Sequence, residues 1–395
     1  MKKMMMIMAL CASAVSYAEE DSFTPLFYFQ EYADLIAYES NIILSTDKNV
    51  IYGQRDHFIY KYSLDSGAFD YLTNGGRANY KGAITLSKNE QYIYAANHGG
   101  GTDYVVRFNL LNQSEEILHS FGSSTNYADG YDPMGGLVLD ANEQYVYGVT
   151  SAGGWPFDFN TSPWDFGVVY RMTMDGSPNP PYQVIHYFKG DEDGGSPSGS
   201  LVMSPDGEYV YGITTRQGAG YCGTVFQLSL DENEQFPFKT LYSFHCTKEG
   251  IPNELIGSTD GRYLYGSAYK NTVTNNKGIV FRVDLNASGN PVSILHRFDS
   301  PEGMLPIGLV LDKTEKILFG ATQLGGRKSP HYGSIYKIEL DKPDFPLSIL
   351  HLFDSWESTE IESPMVLNED SGELYGATRN GRGVFKNGAI FKFKP

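Results

Sequence analysis

Short apolar stretches alternate with polar turns along almost the whole chain, and the pattern repeats. A unit begins with an apolar stretch such as GGLVLD (135–140) or IGLVLD (307–312), followed by a polar turn such as SPDGE (204–208). A Tyr-x-Tyr-Gly segment, a glycine-rich loop, a GxVF segment and a stretch like SILHRF (293–298) complete the unit. Runs of ~5–6 residues between turn signals are typical of β-strands, so each unit predicts four antiparallel strands.

An aromatic-glycine pair marks the second predicted strand of each unit. Tyr94-Ala95 is a degenerate copy, and the regular pairs begin at Tyr52, Tyr147, Tyr211, Tyr265, Phe319 and Tyr375. Seven repeated four-stranded units predict an all-β fold, a seven-bladed β-propeller. No long segment with helical periodicity competes with this interpretation.

The two ends of the chain are expected to meet in one blade. The last unit ends in GAIFKFKP (388–395) and has no fourth strand after it, whereas TPLFYF (24–29) precedes the first unit and has no other partner. We expect 24–29 to pair with 388–395 as the outer strand of blade seven, because this pairing closes the ring and leaves no exposed strand edge. Residues 19–395 are then predicted to form one propeller domain.

Residues 1–18 have the features of a signal peptide. Lys2 and Lys3 precede an apolar run, and Ser16-Tyr17-Ala18 fits a small-x-small cleavage site. We therefore expect a secreted monomer without a membrane anchor, since no later apolar run approaches the ~20 residues of a membrane span. Removal of the two lysines takes the net charge from −17 to −19, which disfavours a nucleic-acid partner.

Two cysteines remain after this processing, Cys222 and Cys246. They flank the third and fourth predicted strands of blade four at ends that antiparallel pairing brings together, so a disulfide is expected. The alternative is a metal site that uses both thiolates and a histidine such as His245. Acidic segments such as DEDGG (191–195) could also hold a structural Ca²⁺ through carboxylate oxygens. No cofactor signature stands out.

The repeat carries a recognisable motif, YGxT followed by a glycine-rich loop and GxVF. Its clearest copies are YGITTRQGAGYCGTVF (211–226), FGATQLGGRKSPHYGSIY (319–336) and YGATRNGRGVFKNGAIF (375–391). This pattern resembles the GloVer-type tandem repeat of bacterial secreted proteins over nearly the whole mature chain. The resemblance implies the propeller fold and says little about chemistry, because a repeat motif records how blades pack.

The loops between second and third strands should all emerge on one face of the propeller. Indole rings offer apolar surface to sugar rings, and cationic side chains bind carboxylates or sulfates. An anionic polysaccharide is therefore the expected partner, although loops that are merely polar would contain similar residues. The candidate substrate-binding residues are Trp155, Trp164, Lys270, Arg327, His331, Tyr332 and Arg379.

Three residues on these loops suit catalysis by β-elimination: His98, Arg216 and Tyr221. An arginine neutralises a uronate carboxylate, a base removes the C5 proton, and an acid protonates the leaving oxygen. His98 also interrupts the repeat, since its unit has AANHGGG where others have YGxT. Histidines that recur at one position of the fourth strand are predicted to be structural, namely His119, His186, His296 and His351.

In architecture and residue types the chain resembles the seven-bladed ulvan lyases, secreted enzymes that cleave a sulfated uronate polymer with a His/Tyr/Arg site. This resemblance implies a polysaccharide lyase that requires no cofactor, although no catalytic motif matches residue by residue. The motifs HExxH, GxSxG and the P-loop are absent. A non-catalytic carbohydrate- or protein-binding propeller is the alternative, and a hydrolase with paired carboxylates ranks last.

Overall fold

The computed structural model describes the greater part of the chain. Within the described ranges, no helix is long and apolar enough to cross a membrane. These ranges are 23–29, 41–55, 58–73, 82–98, 103–122, 127–154, 166–175, 181–269, 277–299, 301–326, 332–353, 359–361, 364–380 and 387–395.

Seven antiparallel sheets form the blades of a β-propeller, as the repeat predicts. In each of the first six blades the four strands are consecutive in the chain and in the sheet. Blade one contains β2 (Asn41–Leu44), β3 (Val50–Arg55), β4 (Phe58–Ser63) and β5 (Phe69–Tyr71). Blade two contains β6 (Thr85–Leu86), β7 (Tyr92–Asn97), β8 (Tyr104–Asn109) and β9 (Glu115–Ser120). Blade three contains β10 (Val138–Leu139), β11 (Tyr145–Thr150), β12 (Val168–Thr173) and β13 (Tyr182–Tyr187).

The next three blades are built in the same way. Blade four contains β14 (Gly195–Met203), β15 (Tyr209–Arg216), β16 (Tyr221–Ser229) and β17 (Phe238–His245). Blade five contains β18 (Ile251–Gly257), β19 (Tyr263–Tyr269), β20 (Ile279–Asp284) and β21 (Val292–Arg297). Blade six contains β22 (Met304–Leu311), β23 (Ile317–Leu324), β24 (Ser334–Glu339) and β25 (Leu347–Leu352).

Blade seven joins the two ends of the chain and confirms the predicted ring closure. Its inner strand is split into β26 (Thr359–Ile361) and β27 (Val366–Asn368), which both pair with β28 (Glu373–Asn380). The next strand is β29 (Ala389–Phe393), and β1 (Phe23–Tyr28) pairs with it antiparallel as the outer strand. Phe23 stacks on His351 of blade six, and Phe27 stacks on Phe69 of blade one. The N-terminal strand therefore also holds blade seven between its neighbours.

The aromatic-glycine pair has a direct packing reason. In blade four, Gly212 lies opposite Phe226 across β15 and β16, and a methyl group on Gly212 would overlap the Phe226 ring and Leu201. The same glycine-aromatic pairing occurs in every blade with the regular motif. Blade two has Ala95 instead, and the residue opposite it is the smaller Val106. The degenerate copy is thus compensated across the strand pair.

The threonine of the YGxT motif ties the second strand to the third. Its hydroxyl oxygen accepts a hydrogen bond from a backbone N–H of the third strand, at 2.9 Å from Thr224 N to Thr214 Oγ1 and at 3.0 Å from Ala389 N to Thr378 Oγ1. These threonines are fully buried. In the blades that carry the threonine, the motif therefore closes the hairpin just below the loop that joins its two strands, so it is structural.

Candidate functional site

The strand directions define two faces of the propeller. Second strands run toward one face, where the loops to the third strands emerge and where each fourth strand crosses to the next blade. We call this the loop face. We call the opposite side, which carries the turns between first and second strands, the turn face. The candidate residues that the structure describes, namely His98, Arg216, Tyr221, Tyr332 and Arg379, belong to the loop face.

His98 directly follows β7 on the loop face and lies close to two carboxylates. Its Nδ1 atom is 2.8 Å from Asp132 Oδ1 and 3.3 Å from Asp103 Oδ1. Asp132 is itself positioned, because Ser151 Oγ donates to its second oxygen at 2.7 Å and its backbone N–H donates to Asp103 Oδ2 at 2.7 Å. This His98 cluster joins blades two and three.

The cluster has the form expected of a positioned acid-base group. A carboxylate beside Nδ1 orients an imidazole and leaves Nε2 as the atom that exchanges a proton with a ligand. The His98 side chain is 29% exposed, so it is accessible from the loop face. The interruption of the repeat indicated His98 from the sequence, whereas Asp103 and Asp132 lay in loops without any motif and were missed.

The hairpin of blade four carries Arg216 and Tyr221. Arg216 ends β15 and has no ion-pair partner among the described residues, while Tyr221 begins β16 and is 77% exposed. Tyr221 also has a backbone φ of 63°, a conformation that is unusual for an aromatic residue and that often marks a functional position. A large ring is thus presented to solvent by a constrained turn.

A disulfide supports this hairpin and confirms the predicted bond. Cys222, directly after Tyr221, is bonded to Cys246, with a Cα–Cα distance of 5.1 Å. Cys222 is buried, and Tyr221 pairs with His245 across β16 and β17. Since both thiols form the disulfide, the alternative thiolate-metal site has no ligands here.

The other predicted site residues are less informative. Tyr332 precedes β24 and packs partly against the core of blades six and seven, and Arg379 lies in β28 near its loop-face end. Trp155, Trp164, Lys270, Arg327 and His331 lie outside the described residues. A calcium or zinc ion stays a prediction; among the described side chains, the His98 cluster included, no group of three His, Cys, Asp or Glu is spaced for a metal.

The three catalytic candidates do not form one contacting cluster. Arg216 and Tyr221 share the blade-four hairpin, whereas His98 lies in blade two, with all of blade three between them. A ligand must therefore span blades two to four in order to contact all three residues. An extended polymer could do so more readily than a small molecule.

A central cavity was not predicted from the sequence. It has a volume of about 430 Å³ and is lined mainly by the first strands of the blades. Tyr269 and Gln323, from the loop-face ends of β19 and β23, also line it, so it reaches toward the loop face. At one equivalent position of the first strand the blades contribute Asn41, Ala83, Gly136, Ser200, Glu254 and Pro364.

Glu254 is the charged member of that set. Ser267 Oγ donates to its carboxylate at 2.9 Å, and the Gly308 N–H of blade six donates at 3.0 Å. Burial raises the pKa of Glu254 to about 7 in spite of these hydrogen bonds. A buried carboxyl with a raised pKa inside a cavity is typical of functional sites. The signal in the sequence was a glutamate where other blades have small or neutral residues.

Fold and loop face together define a seven-bladed β-propeller with a candidate binding face. Residues 232–395 match the family model of the Gloeobacter/Verrucomicrobia repeat, so this part of the chain carries that repeat and the GloVer-type resemblance is confirmed. No curated protein matches the chain in sequence.

Several solved structures share the architecture. The hydrazine synthase of Kuenenia stuttgartiensis has a TM-score of 0.60 at 13% identity, covering 86% of this chain and 92% of that chain. An oligogalacturonate lyase from Vibrio parahaemolyticus also has a TM-score of 0.60, at 12% identity, covering 94% and 93%. For a putative 6-phosphogluconolactonase from Bacteroides uniformis the TM-score is 0.54 at 15% identity, covering 86% and 89%. At these identities the likeness shows a common fold alone.

Proposed function

We propose that this protein is a secreted polysaccharide lyase that cleaves uronate-containing, ulvan-like polymers by β-elimination. The observation that carries the proposal is the His98 cluster, in which Nδ1 of a partly exposed imidazole lies within 3.3 Å of two carboxylates. The Cys222–Cys246 disulfide supports secretion, because disulfides persist in oxidising compartments. An oligogalacturonate lyase has the same fold, which is support from analogy only.

In the proposed reaction, Nε2 of His98 removes the proton from C5 of a uronate. The C4–O bond then breaks, a C4–C5 double bond forms, and the leaving oxygen takes up the proton from the His98 imidazolium, which restores the base. The carboxylates of Asp103 and Asp132 stabilise the imidazolium that results. A cation must also neutralise the uronate carboxylate, since this makes the C5 proton acidic.

Enzyme kinetics distinguish two roles for Arg216, binding of the reacting uronate and binding of a flanking sugar. If Arg216 binds the reacting uronate, Arg216→Ala lowers kcat, whereas binding of a flanking sugar raises KM with little change in kcat. The separation by blade three favours the flanking role. Tyr221, exposed on the hairpin that the disulfide supports, then stacks on a sugar ring of the same polymer.

The test is to incubate the folded protein with a panel of uronate polymers, ulvan included, and to follow the ultraviolet absorbance of the unsaturated uronate that β-elimination produces. Rising absorbance establishes a lyase. A flat trace across the panel, from protein with native circular dichroism, contradicts the proposal.

A non-catalytic binding propeller is the second candidate, and the presentation of Tyr221 favours it. An exposed aromatic ring on a constrained turn serves sugar binding without any acid-base group. Under this alternative the polymers slow the migration of the wild-type protein in affinity electrophoresis, and the protein does not cleave them. Tyr221→Ala then weakens retention, and His98→Ala leaves it unchanged.

A further inference from the structure

A polar contact occupies the inner part of blade five, at a place where most blades are apolar. Glu254 of β18 lies opposite Ser267 of β19, and the Ser267 side chain is fully buried. Ser267 directly follows the aromatic-glycine pair of its blade. In five other blades the residue at this place is apolar and buried, namely Ala96, Val149, Ile213, Ala321 and Ala377. The repeat therefore does not explain the polar pair of blade five.

The Ser267 hydroxyl lies between two oxygen acceptors. Its Oγ atom is 2.7 Å from Asn253 Oδ1 and 2.9 Å from Glu254 Oε1. Blade six orients the Asn253 amide, because Asn253 Nδ2 donates to Pro306 O at 3.3 Å, and a carbonyl oxygen can only accept. Asn253 Oδ1 therefore faces Ser267 as an acceptor. A hydroxyl has one proton, so Ser267 cannot donate to Asn253 and to Glu254 at the same time.

The charge of Glu254 decides which of the two acceptors the hydroxyl serves. When Glu254 is ionised, Ser267 donates to the carboxylate, since a charged acceptor forms the stronger hydrogen bond, and Asn253 Oδ1 loses its donor. When Glu254 carries a proton, Glu254 donates to Ser267 Oγ, and Ser267 donates to Asn253. All three side chains are satisfied in this second arrangement, because the Gly308 N–H still donates to Glu254 Oε2.

The surroundings of Glu254 permit this protonation. Apart from the hydroxyl, its donors are the backbone N–H groups of Gly308 and Leu309 in β22, and no other charged side chain lines the central cavity among the described residues. The titratable neighbours are two phenols, Tyr269 of β19 in the cavity wall and the buried Tyr336 of β24. Burial, and then the nearby Glu254 carboxylate, raise the pKa of Tyr336 well above its usual value. This phenol therefore stays neutral while Glu254 titrates.

We propose that Glu254, Ser267 and Asn253 form a proton switch at the contact between blades five and six. With a proton on Glu254, Ser267 donates to Asn253, whose amide in turn donates to blade six. Without this proton the hydroxyl turns to the carboxylate, and the Asn253 amide is held from one side only. The rotation of one hydroxyl thus connects the charge of Glu254 to a contact between neighbouring blades. The switch is independent of the proposed lyase chemistry at His98.

The test follows the two ends of this chain by NMR while the pH is varied. Carbon-13-labelled glutamate reports the Glu254 carboxyl, and nitrogen-15-labelled asparagine reports the Asn253 side-chain amide. The signals are assigned from their loss in Glu254→Gln and Asn253→Ala. We expect both signals to change in one step with a shared midpoint near pH 7, where Glu254 loses its proton. A Glu254 carboxyl that titrates near its ordinary value of 4.5, or Asn253 signals that do not follow it, overturns the proposal.

Two variants separate the switch from a direct effect of the charge. Ser267→Ala introduces the residue that blades six and seven have at this place, and it removes the hydroxyl that connects the two side chains. Glu254 should then still titrate, whereas Asn253 should lose most of its step. In Glu254→Gln the new amide takes the donor role of the protonated acid, so the Asn253 signals should stay constant with pH.

The same variants can refute the proposal. If Ser267→Ala, with an unchanged melting temperature, keeps the full Asn253 step, the hydroxyl is not the connection and the proposal is wrong. An Asn253 step that persists in Glu254→Gln contradicts it equally, because another group must then produce the step.

Discussion

Two kinds of histidine in this propeller contact carboxylates for different purposes. His186 in the outer strand of blade three has its Nε2 atom 3.3 Å from Asp193, and its ring stacks on Phe238 of blade four at 3.9 Å. His119 repeats the arrangement with Asp129 and Tyr182. The aromatic rings cover these imidazoles, so they connect neighbouring blades and support the predicted structural role.

His98 is paired through its other nitrogen and lies at a strand end. Its carboxylates contact Nδ1, which leaves Nε2 as the atom for a ligand. The difference teaches that a histidine-carboxylate pair alone does not identify a catalytic group. It is more informative to ask whether the residue recurs at the same position in several blades. A recurring residue is explained by packing between blades, whereas a residue that is present in one blade need not be.

The largest expected effect is on activity, at His98. His98→Ala should lower the lyase rate about 10²–10⁴-fold, because the proposed base is lost, while the melting temperature changes little since the side chain is partly exposed. Product formation is measured by ultraviolet absorbance, with His186→Ala as the matched control that keeps its activity. Full activity in His98→Ala would refute the site assignment.

The next-largest effect is on the free energy of unfolding, at the glycine of the repeated aromatic-glycine pair. Gly212→Ala should lower the free energy of unfolding by about 3 kcal/mol, because the new methyl group overlaps the Phe226 ring and Leu201. Chemical denaturation measures it. Ala95→Gly, at the corresponding position opposite Val106, is the control and should cost no more than about 1 kcal/mol. Equal effects in the two blades would show that the cross-strand pairing does not explain the motif.

The pH dependence of stability should reveal Glu254, the residue of blade five that is charged where the other blades have neutral residues. A carboxyl whose pKa is about 7 in the folded protein and near 4.5 when unfolded binds its proton more tightly in the folded state. Its contribution therefore favours folding at low pH and is lost as the pH rises from about 4.5 to 7, by up to about 3 kcal/mol. Glu254→Gln should remove this fall when melting temperature is measured against pH. Parallel curves for the two proteins contradict the assignment.

The smallest of these effects belongs to the structural histidine. His186→Ala should lower the free energy of unfolding by about 2 kcal/mol, because Phe238 loses its stacked partner and Asp193 loses its hydrogen-bond partner. Activity should stay at the wild-type level. A variant that is stable but inactive would reverse the roles assigned to His186 and His98.

Much of the fold followed from local patterns in the sequence. The alternation of apolar runs and turns predicted four strands per unit. The number of aromatic-glycine pairs, with the degenerate copy at Tyr94-Ala95 included, predicted seven blades. The pair recurs because a glycine is needed wherever an aromatic ring of the neighbouring strand lies across it. The pairing of 24–29 with 388–395 was predictable, since a propeller leaves one strand without a partner unless its ends meet. The disulfide followed from the same register.

The site depended on contacts that no local pattern specifies. Asp103 and Asp132 come from different blades and meet at His98 only because blades two and three are adjacent. The separation of Arg216 from His98 and the central cavity around Glu254 are likewise set by how the blades are placed around the ring. The sequence alone determined the blade, because its strands pair with neighbours in the chain. Only the tertiary structure decided which side chains of different blades lie together, because those contacts join residues that are far apart in sequence.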